Sequence, residues 1–394
     1  MPGIRLRRRR RKNSVYFDYS MLAVVIILIC FGLVMLYSAS AYEAASDAAI
    51  GDDMFYFRRQ AVNSLIALAA ALIVSFIDYH AAVFFAPVLY IIAMGMMGAV
   101  RFTPLGRTVN GATRWLQIGS YSFQPSEIAK IAVILMIPLV IVRIGKGVRE
   151  FRNVVLLFLI GLVPALGAYL LTDNLSTALI ILAICVILIY LAHPRTGPFI
   201  VGAIALGAGA VGILTVIRRT ISSSSSFRMR RILAWLQPEN NLSSGGYQVM
   251  QALYAIGSGG FFGKGLGNST QKLSTIPEAQ NDMIFSIICE ELGLFGAILV
   301  LLLFGYLLYR LYFIAKHAAD VCGTLVVSGI FIHIALQVVL NICVNLNLIP
   351  TTGVTLPFVS YGGTSVIFTM IEIGLALNVA KSLQPDPEPE EDFM

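Results

Sequence analysis

Long apolar runs separated by short polar breaks set the pattern of this chain, beginning with Met21 to Leu36. Runs close to 20 residues match a bilayer's hydrocarbon core of about 30 Å at about 1.5 Å per helical residue. Barrel strands would instead read as alternating segments of about 10 residues. Backbone polar groups in lipid need internal partners, so the continuous runs are helices. The pattern predicts an all-α integral membrane protein, a polytopic bundle of about ten transmembrane helices. They are placed near 19–38, 61–78, 81–100, 125–143, 153–171, 176–192, 197–217, 283–309, 322–346 and 360–380.

Composition agrees. The chain is 58% hydrophobic and 12% charged, against about 25% charged in soluble domains. Its mean hydropathy is +0.82. The net charge of +7 is uneven: Arg5, Arg7, Arg8, Arg9, Arg10, Arg11 and Lys12 precede the first run. That block reads as a cytoplasmic topology signal rather than a nucleic-acid site. Ser38-Ala39-Ser40-Ala41 resembles a cleavage site, but the run before it is long for a signal peptide and further spans follow, so it reads as a retained first helix. Cys30, Cys185, Cys289, Cys322 and Cys343 have no zinc or CxxC spacing and read as packing residues. His80, His193, His317 and His333 are scattered, which argues against a histidine metal site.

Arg143, Lys146, Arg149 and Arg152 crowd the segment 143–152, while 172–175 and 347–359 carry no Lys or Arg. The loop 101–124 carries Arg101, Arg107 and Arg114, which weakens this bias without reversing it. The rule that cytoplasmic loops are basic then puts both termini in the cytoplasm. The chain divides into a basic N-terminal segment 1–18, a membrane domain 19–381 and an acidic cytoplasmic tail 382–394. The tail is Pro-rich and charged, a composition of disorder. One connection, 218–282, is long and extracytoplasmic in this topology, and long loops in compact proteins are functional or disordered. It contains the spacer Ser222–Ser226, an Arg- and aromatic-rich stretch Phe227–Leu236 suited to a short helix at the lipid headgroups, and a glycine-rich stretch from Ile256 to Thr270.

Several features carry chemistry. Gly257 to Gly267, with Lys264 inside it, lacks P-loop spacing. It fits either a phosphate cradle of exposed N–H groups or a tight re-entrant turn that needs small residues. Asp282 stands where the loop enters a helix, so Asp282 or Asn281 is a helix cap or Asp282 is a partly desolvated general base. Glu127 and Lys130, three apart at the start of the fourth span, can pair on one face. They form either a structural ion pair or the polar floor of a cavity, because an unpaired ion there costs about 2.5–3.5 kcal/mol. His333, Gln337, Asn341 and Asn345 recur every four residues as a stripe for interhelical hydrogen bonds. Pro350 to Gly353 and Leu356 to Ser365 predict irregular backbone, tolerated at membrane depth only against protein or a cavity. All these features fall on the outer side of the topology, which predicts an outward-facing polar cavity in an apolar bundle.

Together the motifs resemble the SEDS family of FtsW, RodA and SpoVE. They are Gly111-Ala112-Thr113-Arg114-Trp115, Gln124-Pro125-Ser126-Glu127 with Lys130, Gly246-Tyr247-Gln248, Gly263-Lys264-Gly265-Leu266-Gly267, Pro277 through Asp282, Glu290-Glu291-Leu292-Gly293 and Leu356 through Gly363. The similarity runs in order from about residue 17 to about residue 380, and Phe17-Asp18-Tyr19-Ser20 and Tyr37-Ser38-Ala39-Ser40 lean toward FtsW/SpoVE. Two departures stand out: Gln280-Asn281 where the family often has His-Thr, and Asp173-Asn174-Leu175-Ser176-Thr177 where it often has Pro-Asp-Leu-Gly-Thr.

The resemblance implies a ten-helix glycosyltransferase that polymerises lipid II outside the membrane. It also implies a single-pass class B penicillin-binding protein and other divisome or elongasome membrane proteins as partners. Asp282 matches the family's essential loop aspartate, and Glu127 and Lys130 match its paired Glu and Lys. On this reading Asp282 is the catalytic base, and Arg114, Lys264 and Lys272 are cations for the pyrophosphate leaving group. Glu127, Lys130, Gln248 and Ser360 complete the substrate-binding set. No cofactor is assigned, and a divalent cation, Mg or Mn, is left open. The rival readings are a lipid II flippase, which would show inverted repeats that this sequence lacks, and a non-catalytic scaffold of the division or elongation machinery. An O-antigen-type ligase or polymerase shares the chemistry but not this motif order.

Overall fold

The computed structural model describes residues 17–383 except 47, 49, 110–111, 120, 221–226, 242–244, 273–275 and 277–278. The basic block, Gly111, the spacer Ser222–Ser226, Pro277-Glu278 and the acidic tail from 384 onward therefore lie outside the described residues.

The first helices are α1 (Tyr19–Ser46), α2 (Phe55–Ser75), α3 (Tyr79–Phe84) and α4 (Ala86–Phe102), followed by strands β1 (Gly106–Val109), β2 (Ala112–Ile118) and β3 (Tyr121–Phe123). The bundle continues with α5 (Pro125–Ile144), α6 (Phe151–Leu170), α7 (Leu175–Ala192) and α8 (Gly197–Thr220). Next come α9 (Phe227–Leu236), α10 (Gly246–Ser258), α11 (Ile284–His317), α12 (Val321–Asn345) and α13 (Ser365–Ala380). Among the described residues, seven helices are long and apolar enough to cross a membrane, and three shorter apolar segments, Ala86–Phe102, Gly197–Gly209 and Ser365–Ala380, bring the set to the ten expected.

Five expected spans differ in form, the last because α13 begins at Ser365 rather than 360. α1 runs on to Ser46, and α2 begins at Phe55 rather than 61. The third span is split at Phe85 into α3 and α4, with Pro87 opening the second piece, where its missing N–H costs nothing. α11 extends to His317 but is broken at Gly293 (φ 66°, ψ −163°).

Two elements were not foreseen. Most of the segment 101–124, from Gly106 to Phe123, folds into an antiparallel sheet of order β1-β2-β3, with Val109 paired with Ala112. The signal was Asn110-Gly111 between β-formers, a strong hairpin cue. Inside 218–282, α9 has the bounds read from the sequence. α10 was missed, although Val249, Ala252 and Ala255 bury one face at helical spacing.

Antiparallel α1 and α11 are pinned near both ends. The Arg310 guanidinium donates to Asp18 Oδ2 at 2.7 and 3.0 Å. Ser38 Oγ, twenty positions further along α1, donates to Glu291 at 2.7 Å. Between α12 and α13, the buried His333 Nδ1 lies 2.7 Å from Glu372 Oε2. Such pairs hold helices together where lipid offers no hydrophobic drive between them.

Candidate active site

One end of the bundle gathers most of the motifs that the sequence singled out for chemistry. There the connection 346–364 between α12 and α13 forms no helix and folds back into the protein. A Cβ on Gly32 of α1 would meet the Phe358 carbonyl oxygen at 2.6 Å, so this loop dips beside the middle of α1. Several of its buried main-chain groups find partners within the protein, as membrane depth requires. Leu356 N donates to Ser360 Oγ at 2.8 Å, and Ser360 N donates to the Leu356 carbonyl at 3.0 Å. The Ser360 hydroxyl thus closes its own turn.

Asp282 sits under this loop. Its carbonyl accepts from Asn341 Nδ2 and Asn345 Nδ2, each at 2.9 Å. Asn341 Nδ2 also donates to the Val354 carbonyl at 2.9 Å, so α12 ties the two loops together. Two residues before Asp282, the Gln280 carbonyl accepts from Tyr361 N at 2.9 Å. Met283, not Asp282 or Asn281, occupies the N-cap position of α11. Gly353 (φ 70°) passes beside the carboxylate: a Cβ there would stand 4.0 Å from Asp282 Oδ2.

Arg231 is the cation that sequence reading placed at the headgroups rather than at the site. It extends from α9 and donates from Nη1 to the Thr351 carbonyl at 3.3 Å. Burial pulls the Arg231 guanidinium below its ordinary value, while the Asp282 charge pushes it back up. Its helix is anchored by Trp235 Nε1, which donates to the Asn347 carbonyl at 2.9 Å. Arg114, on β2, reaches over from the sheet and donates from Nη2 to the Asp173 carbonyl at 3.2 Å. Asp173 adopts φ 47°, and Asn174 after it caps α7 by accepting from Thr177 N at 3.1 Å. The departure from the family pattern at 173–174 thus holds a helix start, while the loop closes over it through Ser176 Oγ, which donates to the Thr352 carbonyl at 2.8 Å.

Glu127 and Lys130 form the expected pair, 2.9 Å apart in the first turns of α5, with Lys130 1% exposed. Gln248 is half-buried on α10.

The glycine-rich stretch is a backbone splice. Lys264 N and Gly265 N donate to the carbonyls of Glu290 and Glu291, both at 2.9 Å. Leu294 N and Phe295 N donate back to the carbonyls of Gly260 and Phe261, at 3.0 and 3.1 Å. The break at Gly293 frees main-chain groups of α11, and the loop satisfies them. A Cβ on Gly263 would lie 2.2 Å from the Glu291 oxygen, so glycine is needed for close approach. Of the two readings left open, the structure fits the re-entrant turn: the N–H groups of Lys264 and Gly265 are already spent on protein.

The side chains reinforce the splice. Lys264 Nζ pairs with Glu290 at 2.6 Å and Lys272 Nζ with Glu291 at 2.8 Å, both carboxylates being fully buried. Ser269 Oγ and Thr270 also donate to Glu290. Both lysines expected to face a pyrophosphate therefore already neutralise a buried carboxylate. Sequence reading noted Glu290 and Glu291 as motif residues but did not see them as the lysines' partners. It also missed Glu372, although a carboxylate in an apolar run was itself the signal.

The comparisons extend along the chain. The family model described as "Cell cycle protein", covering FtsW, RodA and SpoVE, matches residues 18–384. Stage V sporulation protein E of Bacillus subtilis is 37% identical over 372 residues, 92% of this chain and 97% of that protein. A protein of Trichlorobacter lovleyi named probable peptidoglycan glycosyltransferase FtsW is 34% identical over 371 residues, 94% of this chain and 95% of that one. Among solved structures, one describing coordination of polymerization and crosslinking by a peptidoglycan synthase complex matches with a TM-score of 0.75 at 28% identity, covering 94% of this chain and 100% of that chain. The crystal structure of rod shape determining protein RodA from Thermus thermophilus matches with a TM-score of 0.67 at 27% identity, covering 95% of this chain and all of that chain. Spanned by the family model along nearly its whole length, this multi-pass membrane protein belongs to the FtsW/RodA/SpoVE family.

Proposed function

We propose that the chain is a peptidoglycan glycosyltransferase that polymerises lipid II into glycan strands at the outer face of the cytoplasmic membrane. The observation that carries this reading is the placement of Asp282. Two asparagines hold its backbone, a glycine passes beside its carboxylate, and the charge of Arg231 faces it. Relatives named peptidoglycan glycosyltransferase support the reaction class. The basic segment 143–152, at the end opposite Asp282, supports cytoplasmic termini and an outward-facing site.

In the proposed reaction a sugar hydroxyl of one substrate attacks the anomeric carbon of the other. Asp282 takes the hydroxyl proton as the new C–O bond forms. The bond from the anomeric carbon to the pyrophosphate oxygen breaks, and polyprenyl pyrophosphate leaves as an anion that needs no proton. Arg231 and Arg114 meet the charge building on that group, since planar guanidinium forks suit phosphate oxygens. Glu127 and Lys130 form the floor, and Gln248 contributes a polar contact to the sugar. In this proposal Lys264, Lys272 and Ser360 hold the loops that shape the site. No step of this proposal is routed through Mg or Mn. A class B penicillin-binding protein would cross-link the emerging strand, and the solved peptidoglycan synthase complex supports such a partner.

The test is lipid II polymerisation by the full chain purified with its transpeptidase partner. Wild type should form glycan strands, and Asp282→Asn should form none while eluting as a folded protein. An unchanged rate in that variant sinks the base assignment. Lipid II scrambling in vesicles without polymer would favour a flippase, and division or elongation that tolerates Asp282→Asn would favour a scaffold.

A further inference from the structure

At the end opposite Asp282, two separate connections flank an open depression of about 320 Å³. One wall is the 3₁₀ turn Gly145–Arg149 that follows α5, and the other is the end of α7 with His193 and Pro194. Lys146, Arg149 and His193 line it, and Leu191 forms part of its side. The turn is built rather than loose. Gly145 adopts φ 55° to end α5, Val148 is buried beneath it, and Asn153 Nδ2 donates to the Gly147 carbonyl at 2.8 Å.

Charge and apolar surface meet here. Arg143, Arg152 and Arg195, each within three positions of a lining residue along the chain, are exposed, and Glu150 is the one carboxylate in the segment 143–152, its Oε2 3.4 Å from Asn153 Nδ2. The topology rule accounts for basic residues on this side but not for their seating, with Lys146 and Arg149 on one wall of a depression and the His193 imidazole on the other. Beside it, Val142, Phe151 and Leu191 expose apolar side chains. The combination matches a molecule with an anionic head and a hydrocarbon tail, as in basic pockets between transmembrane helices that hold lipid headgroups.

We propose that this pocket binds the phosphate of an anionic phospholipid. Lys146 and Arg149 hold the phosphate oxygens, and the acyl chains lie along α5, α6 and α7. Drawing the lipid from the cytoplasmic leaflet rests on the topology proposed above, whereas binding itself does not.

The probe is phosphatidylglycerol mixed equally with phosphatidylcholine in neutral micelles, with bound lipid counted by native mass spectrometry on the purified full chain. Wild type should retain phosphatidylglycerol over phosphatidylcholine, and rising salt should erode that preference. The double variant Lys146→Gln/Arg149→Gln should weaken retention about 30-fold, from two charges of the size basic residues contribute near anionic lipid. Lys316→Gln, an exposed charge at the end of α11, is the control and should change nothing. No preference in wild type, salt-insensitive retention, or equal loss in Lys316→Gln would each overturn the proposal. So would displacement by millimolar inorganic phosphate, which would mark a free-phosphate site. Reaction of Glu150→Cys with an impermeant maleimide from outside the cell would overturn the leaflet assignment alone, leaving the binding result standing.

Discussion

Lys264 and Glu290 are joined twice: the Lys264 main-chain N–H donates to the Glu290 carbonyl at 2.9 Å, and the Lys264 ammonium pairs with the Glu290 carboxylate at 2.6 Å. Eight positions on, the Lys272 ammonium pairs with Glu291 at 2.8 Å, with Ser38 Oγ as third member 3.0 Å from that ammonium. Breaking a buried pair by removing one partner costs about 3–5 kcal/mol. Lys272→Met should fall in that range, because Lys272 is 8% exposed and Glu291 is fully buried. Lys264→Met should cost less, since Lys264 is 32% exposed and Ser269 and Thr270 still serve Glu290. Thermal unfolding in detergent measures both, and a smaller loss for Lys272→Met would contradict the assignment.

The splice at the α11 break makes a second prediction. A Cβ on Gly293 would lie 2.4 Å from Gly263 N and 2.5 Å from the Phe261 oxygen, with φ 66° besides. Backbone cannot yield as a side-chain tip does, so Gly293→Ala and Gly263→Ala should each cost several kcal/mol, the scale of overpacking plus backbone strain. Gly305→Ala, further along the same helix with open space around it, should be neutral or slightly stabilising. Comparable melting temperatures for all three would refute the splice.

Arg231 and Ser360 separate chemistry from architecture. Arg231→Ala should lower glycan polymerisation about 10²-fold, the scale of losing one preorganised group that stabilises charge, and Arg231→Lys should recover part of it. Ser360→Ala should leave the rate per folded molecule unchanged and cost about 1 kcal/mol, the worth of its hydrogen bond to Leu356 N. A rate loss in Ser360→Ala without a fall in stability would return that hydroxyl to the substrate.

A fourth prediction concerns pH at the opposite end. His80 lies between Asp78 and Asp320, at 2.9 and 2.8 Å. Partial burial pulls the imidazole down, but hydrogen bonds to Asp320 and Asp78 outweigh it, and the net shift is above 6.5. The His80 N–H groups draw Asp78 below 3.8; Asp320 also ends below 3.8, where hydrogen bonds from Gly323, His80 and Tyr79 overcome burial. The raised histidine contributes stability present below pH 6.5 and lost as pH rises through its folded value. The lowered carboxylates contribute stability present above pH 3.8 and lost as pH falls through their folded values. The clasp is therefore strongest between those limits. Carbon-13 histidine NMR should show His80 titrating above 6.5 and moving down in Asp320→Asn. A wild-type titration at or below 6.5 would show that the clasp does not form.

The sequence by itself determined the bundle, the ten apolar segments, the helix at Phe227–Leu236 and the gathering of polar residues at one end. Lipid forces this legibility, because hydrocarbon admits only internally bonded helices and makes each buried ion conspicuous. Local pairs were readable for the same reason: Glu127 and Lys130 are one turn apart, and helical geometry alone brings them together. Only the tertiary structure decided which distant groups meet. Lys272 and Ser38 are 234 positions apart, and His333 and Glu372 lie on different helices. No periodicity says which carboxylate will neutralise which lysine. The glycine stretch shows the limit most clearly. Its composition allowed a cradle for phosphate or a turn against protein, and the break in α11 at Gly293, whose unpaired carbonyls and amides needed partners, selected the second.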